Sequence, residues 1–315
     1  MKSAVLLLVF NRPDSTSQVF NAIRSAKPSR LYVAADGPRA DRDGERELCE
    51  KVRQIATAVD WPCELKTLFH KENLGCNSGP VKGISWLFEN EEEGIILEDD
   101  IIPLPSFFLY CDELLERYRH NEKVGVVSGC NLISKHFSPS DSYFFSRYNH
   151  VWGWATWRRA WKLYDGTLQA WPEWRDNGGL KSISGGSKLF EYSWGKRFDR
   201  ACHGKIDYWD YQWTFTCWYN GMLSTLPAHN QTRNIGFGTD ATHTKGVPDY
   251  VEESIPESLT FPLHHPPSIE RSVEADELID RRVFGMNNMA KIKLAIRQTP
   301  LLLGSLLQRT KKILK

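Results

Sequence analysis

The chain has 315 residues, 41% of them hydrophobic and 12% aromatic. That is enough for one large or two ordinary domains with a real core, and it excludes a disordered or fibrous protein. Lys plus Arg (40) nearly cancels Asp plus Glu (39), so no overall field singles out nucleic acid as a partner.

The opening MKSAVLLLVF has the charge and short apolar run of a signal peptide, but it passes into NRPD without a small-x-small cleavage site and is expected to form a first buried strand. No stretch approaches the ~20 apolar residues of a spanning helix. Residues 4–10 read as a strand covered on both faces in a parallel sheet, ended by Asn11, Arg12 and Pro13. Ser15 and Gln18 have capping-box spacing before the helical stripe Val19, Ala22, Ile23, Ala26. LYVAAD (31–36) is the second strand, stopped by Gly37-Pro38, and a charged helix follows from about 41 to 59. CELKTLF is the third strand, with HKENLGCNSG as a polar loop after it, then a helix carrying Val81, Ile84, Leu87 and Phe88. GIIL (94–97) is the fourth strand, and SFFLYCDELLERY beyond it is an amphipathic helix.

Strand and helix in alternation predict an α/β fold with a mostly parallel sheet, which binds ligands beyond the carboxyl ends of its strands. Asn11-Arg12, Asp36 and Glu98-Asp99-Asp100 are thereby expected along one rim. Strand alternation would send Glu98 and Asp100 to one side and Asp99 to the other. Carboxylates so close need a cation or donors between them, and hard oxygen ligands suit Mg2+ or Mn2+. A solvated acidic turn is the bland alternative. From 151 to 219 the chain is dense in tryptophan, read mainly as core, with some rings as platforms for sugars. Seven cysteines without a C-x-x-C spacing argue against a disulfide framework or a structural zinc site, and fit a reducing cytoplasm.

ILEDDIIPLPSFFLYCDELLERY resembles the acidic metal-site segment of GT-A glycosyltransferases, in the Glu-Asp-Asp version of N-acetylglucosaminyltransferase I and related bacterial sugar transferases. VFNRP, AADGPR, VWGWATW and YWDYQW extend the resemblance over residues 4–245. It implies a Rossmann-like GT-A domain over 1–245, with a nucleotide-binding half (1–130), an acceptor half (131–245) and a C-terminal extension from 246 to 315. Arg12 and Asp36 would contact the nucleotide, Asp36 by accepting from the base. Asp99 would lie near the ribose, Asp100 would ligate the Mn2+ or Mg2+, and Glu98 would support the site or the sugar. Lys82 could reach the nucleotide, while Trp152, Gly153 and Trp154 would line the donor-sugar and acceptor pocket. The catalytic base would be Asp210 or Asp207, and Asp210 alternatively caps the helix after it.

RNIGFGTDATHT (233–244) reads as a Gly-rich loop that could close over a diphosphate, with His243 as a second metal or phosphate contact. Residues 291–315 carry seven Lys or Arg and no acid. This segment would contact an anionic membrane peripherally, or pack on the domain or a partner. The expected activity is transfer of a sugar from a nucleotide diphosphate sugar, a UDP-sugar first among them, to a glycan or lipid-linked glycan. It would take place in the cytoplasm or at the inner face of the membrane. The rivals are a sugar nucleotidyltransferase, whose Gly- and Lys-rich triphosphate loop VFNRPDSTSQ does not supply, and a non-catalytic carbohydrate-binding protein.

Overall fold

A computed structural model of the protein describes residues 1–237 and 246–294. In chain order the first half holds β1 (Ala4–Val9), α1 (Pro13–Ala26), β2 (Arg30–Ala35), α2 (Glu45–Ala56), β3 (Glu64–Phe69), α3 (Gly75–Asn90), β4 (Glu93–Glu98), β5 (Ile101–Pro103) and α4 (Pro105–Tyr118). Next come β6 (Val124–Ser128), β7 (Tyr143–Ser146), β8 (Trp154–Trp157), α5 (Arg158–Trp161), α6 (Trp171–Asp176), α7 (Gly179–Ile183), α8 (Lys188–Cys202) and α9 (Asp210–Tyr219). β9 (Leu223–Pro227), β10 (Thr232–Asn234), α10 (Asp249–Glu252) and α11 (Val273–Arg282) complete the order.

Eight strands form one sheet in the order β3-β2-β1-β4-β8-β6-β9-β7. Its β3-β2-β1-β4 half is parallel throughout, and only β8 and β7 run against the rest. This is the expected fold class, an α/β fold with a mostly parallel central sheet flanked by helices.

The continuous apolar runs follow from helices covering both faces. Along β1, Ala4, Leu6 and Leu8 pack on the α3 side with Ile84 and Leu87. Val5, Leu7 and Val9 alternate to the other side, with Val19, Phe20 and Ile23 of α1 and Phe107 and Leu114 of α4. Gly83 lets α3 close on this strand: a Cβ there would stand 2.6 Å from the Leu8 side chain. β3 is half exposed, as suits a charged edge strand.

Several expectations are corrected. The Ser15/Gln18 capping box does not form. α1 starts at Pro13, whose fixed φ begins the helix, and Ser15 Oγ donates to the Arg12 carbonyl. GCNSG is not loop but the first turn of α3. Arg233 and Asn234 are not loop either, because β10 pairs antiparallel with β5. From 246 to 294 the extension packs on the rest of the chain. Leu259, Leu263, Ala275, Ile279 and Met286 enter the core. α11 is capped by Ser272, which accepts from Ala275 N, and is pinned by Arg147, which donates to Asp280 at 2.7 Å. All seven cysteines are free, and no helix among the described residues is long and apolar enough to cross a membrane.

Candidate functional site

β1 runs out between β2 and β4, where the chain order of the sheet reverses, and strand ends diverge into a crevice at such a point. A cavity of about 830 Å³ opens there. Asn11 and Arg12 line it from the end of β1, Asp36 and Arg39 from the end of β2, and Glu98, Asp99 and Asp100 from the end of β4. Three strands with separate apolar runs thus deliver three polar clusters to one place.

The acids are not sorted by alternation, because β4 ends at Glu98 and a turn carries Asp99 and Asp100. Both aspartates reach one guanidinium: Arg12 Nη1 stands 3.3 Å from Asp99 Oδ1 and 2.9 Å from Asp100 Oδ2. Asp99 also accepts from Phe10 N at 3.2 Å. Burial lifts all three carboxyls above the usual carboxylate range, and the acids reinforce one another at Glu98 and Asp99. One arginine does not compensate three acids, of which Asp99 is buried and Glu98 and Asp100 are partly buried. Gly236 brings its backbone close to Asp100, where a Cβ would stand 2.1 Å from Oδ2. Hard oxygen donors with surplus negative charge fit a divalent cation. Among the described residues no three of His, Cys, Asp and Glu gather into a complete metal set, so other oxygens would have to finish its shell.

Asp36 lines the same cavity, but its acceptors are occupied. Oδ1 accepts from Gly37 N and Leu74 N, each at 2.8 Å, and Oδ2 from Asn73 Nδ2 at 2.9 Å and Gly75 N at 3.2 Å. A carboxylate has about four lone-pair sites, and here the protein fills them all. Asp36 therefore caps α3 from another strand, and it has no free acceptor for a base. Beside it His70 and Asn73 line the cavity, and buried His70 Nε2 has no hydrogen-bond partner among the described residues. Burial pushes the His70 imidazole down, keeping it neutral. Sequence reasoning missed both; their signal was HKENLG at the end of a strand. It also missed Arg39, whose guanidinium clasps Glu45 and holds that carboxyl below its usual range.

Lys82 is exposed on α3 and is not among the cavity-lining residues, although its charge is felt at His70. Gly153 has φ +74 and parts the two tryptophans on either side of it. Trp152 lines the cavity, meeting Phe237 edge to face at 5.7 Å. Trp154 is fully buried, stacked on Trp209 at 5.8 Å, and belongs to the core with eight of the other tryptophans.

Asp207 is exposed and lines the cavity, with the Cys76 thiol donating to its backbone carbonyl at 3.0 Å. Asp210 is the first residue of α9, and Trp209 takes the cap position without a side-chain bond. The Asp210 carboxyl is partly buried and not among the cavity-lining residues; its Oδ1 lacks a hydrogen-bond partner among the described residues, and burial pushes the carboxyl up to about 6. It lies near enough to Glu98 to raise that group further. His243 lies outside the described residues, as does most of the basic segment.

No protein-family model and no curated protein matches the sequence. Among solved structures the chain is similar to HddC from Yersinia pseudotuberculosis, at 8% identity and TM-score 0.30 over 50% of this chain and 77% of that one. It is similar to S. aureus TarS at 14% identity and TM-score 0.33, over 74% of this chain but only 36% of TarS. Mouse xyloside xylosyltransferase 1 gives 12% identity and TM-score 0.31, over 69% and 81%. These are distant likenesses of arrangement.

Proposed function

We propose that the protein is a metal-dependent, inverting glycosyltransferase that moves a sugar from a nucleotide diphosphate sugar to a hydroxyl of a glycan. The observation that carries this reading is the pairing of Arg12 with Asp99 and Asp100, beside Glu98, in the lining of the strand-end cavity. A surplus of buried acid beside a guanidinium suits a diphosphate that arrives with its own cation. Asp100 would hold that Mg2+ or Mn2+ together with diphosphate oxygens, and the ion would supply charge neutralisation for the leaving group.

This chain's own residues would do the rest. His70 Nε2 and Asn73, rather than the saturated Asp36, would read the base, with a uracil first among candidates. Arg12 would turn from the aspartates toward the diphosphate, and Trp152 would offer a ring to a sugar. Asp210 would take the proton of the acceptor hydroxyl as its oxygen bonds to the anomeric carbon, while the bond from that carbon to the diphosphate breaks. A partly buried carboxyl with an unpaired oxygen among the described residues and a raised pKa suits that task better than the exposed Asp207, although only Asp207 lines the first cavity.

The test is a thermal-shift screen of UDP-, GDP-, CMP- and dTDP-sugars with and without Mn2+. One donor class should raise Tm, and only with the ion, since a ligand selective for the native state stabilises it. A chain stabilised by free glycans and by no nucleotide would be a carbohydrate-binding protein instead.

A further inference from the structure

A second cavity, of about 580 Å³, adjoins the first and shares Trp152, Asn234 and Phe237 with it. The wall between the two is anchored at the acid turn. β10 pairs with β5, Ile235 N donates to the Asp100 carbonyl at 2.9 Å, and Thr232 Oγ1 donates to the Trp152 carbonyl at 2.8 Å. A molecule seated in the second cavity therefore reaches toward the acids past Trp152 and Asn234.

The cavity offers three kinds of group. Leu132 and Val251 give it apolar ground, and Trp152 and Phe237 meet edge to face at 5.7 Å in the shared wall. The exposed side chains of Arg233 and Glu252 add one charge of each sign, and neither has an ion pair or a side-chain hydrogen bond among the described residues. Asn234 Oδ1 accepts from Gly236 N at 2.8 Å, which leaves the NH2 of that amide as a further donor where the cavities join.

We propose that this cavity binds an uncharged saccharide unit of the acceptor. This rests on the glycosyl-transfer reading, and gives the acceptor a site and a chemical class within it. A guanidinium only donates and a carboxylate only accepts, whereas a sugar hydroxyl does both, so a polyol satisfies the two charged groups of one cavity together. The C–H face of a sugar ring packs on an aromatic ring such as Trp152. The other ligand classes fit less well. An acidic unit would meet the carboxylate of Glu252 and a basic one the guanidinium of Arg233, each at a like-charge cost. A hydrocarbon chain would take both charges out of water without a partner. The volume lies within the range of about 300–1,000 Å³ typical of small-ligand sites.

The experiment follows the full-length protein by saturation-transfer NMR during titration with the methyl glycosides of glucose, galactose, mannose and N-acetylglucosamine, and with that of glucuronic acid as the acidic counterpart. UDP, GDP, CMP and dTDP with Mn2+ are titrated separately as probes of the first cavity. The same titrations are run on Arg233→Ala and Glu252→Ala, whose side chains are exposed and absent from the lining of the first cavity, with Tm measured alongside. At least one neutral glycoside should bind the wild type, more tightly than the glucuronic acid glycoside does. Each variant should weaken it about tenfold or more, with nucleotide affinity and Tm unchanged. The proposal is overturned if no neutral glycoside binds, if the glucuronic acid glycoside binds tightest, or if either variant binds as the wild type does. Nucleotide binding without any neutral glycoside binding removes the saccharide site and leaves the transferase reading. If no nucleotide binds the wild type while the glycoside is still lost in both variants, the transferase reading falls and the saccharide site stands.

Discussion

Arg12 Nη1 stands 2.9 Å from Asp100 Oδ2, so the residue before α1 holds the second acid of the turn that follows β4. The pair is partly buried, with side-chain exposures of 29% and 16%. Its loss should fall between the small value of a surface bridge and the large one of a buried pair. Arg12→Met should cost about 2 kcal/mol in urea unfolding. Excess Mn2+ should restore more stability to this variant than to the wild type, because a cation takes over the guanidinium's charge. Equal Mn2+ responses in the two proteins would argue that the acids do not bind metal.

Asp100→Asn removes one charged donor and should abolish the Mn2+ dependence of nucleotide binding while Tm stays close to that of the wild type. Full transfer activity in EDTA, or in this variant, would show that the ion is dispensable.

Asp36→Asn tests the saturated carboxylate. An amide has one acceptor oxygen, and its NH2 would face the N–H groups of Leu74, Gly75 or Asn73. Chemical denaturation should show a loss of about 1–3 kcal/mol, the range for a donor left unsatisfied. His70→Ala, by contrast, should weaken nucleotide binding with little loss of stability. If Asp36→Asn folds as stably as wild type and loses only nucleotide affinity, the carboxylate contacts the base directly after all.

Asp210 has a folded-state pKa of about 6, above its ordinary value, so its contribution to stability is full at low pH and is lost as pH rises through 6. At pH 7.5 the ionised carboxylate therefore burdens the fold. Asp210→Asn should gain about 1–2 kcal/mol there. Its kcat should drop by about 100-fold or more, with donor affinity unchanged. A variant that loses stability and keeps turnover would mark Asp210 as structural, and a collapse confined to Asp207→Asn would move the base to its neighbour.

His150 has the opposite sign. Burial pushes its imidazole down to about 4, and Nε2 lacks a hydrogen-bond partner among the described residues. The unfolded chain takes up the proton first as pH falls. The stability His150 supports is complete above 6.5 and is lost toward pH 4. Between pH 7.5 and 5 the wild type should lose about 2 kcal/mol more than His150→Gln. Parallel pH curves for the two proteins would contradict the burial of the ring.

The strands that build the cavity, and the acids that end one of them, are legible in the amino-acid sequence. The apolar middles of β1, β2 and β4 are readable because a strand covered on both faces buries a continuous apolar run. The tertiary structure alone decided what the polar residues at their ends do. Asp36 looks like a free acceptor until the first turn of α3, nearly forty residues on, brings its N–H groups to the carboxylate. Trp152 and Trp154 look equivalent until the positive φ of Gly153 turns one to the cavity and the other to the core. Asp207 and Asp210 differ by three places in sequence, yet burial raises the carboxyl of Asp210, whose charge also reaches Glu98. Apolar periodicity is a property of one segment and its solvent, whereas a hydrogen-bond donor or a neighbouring charge arrives from a distant segment and leaves no local trace.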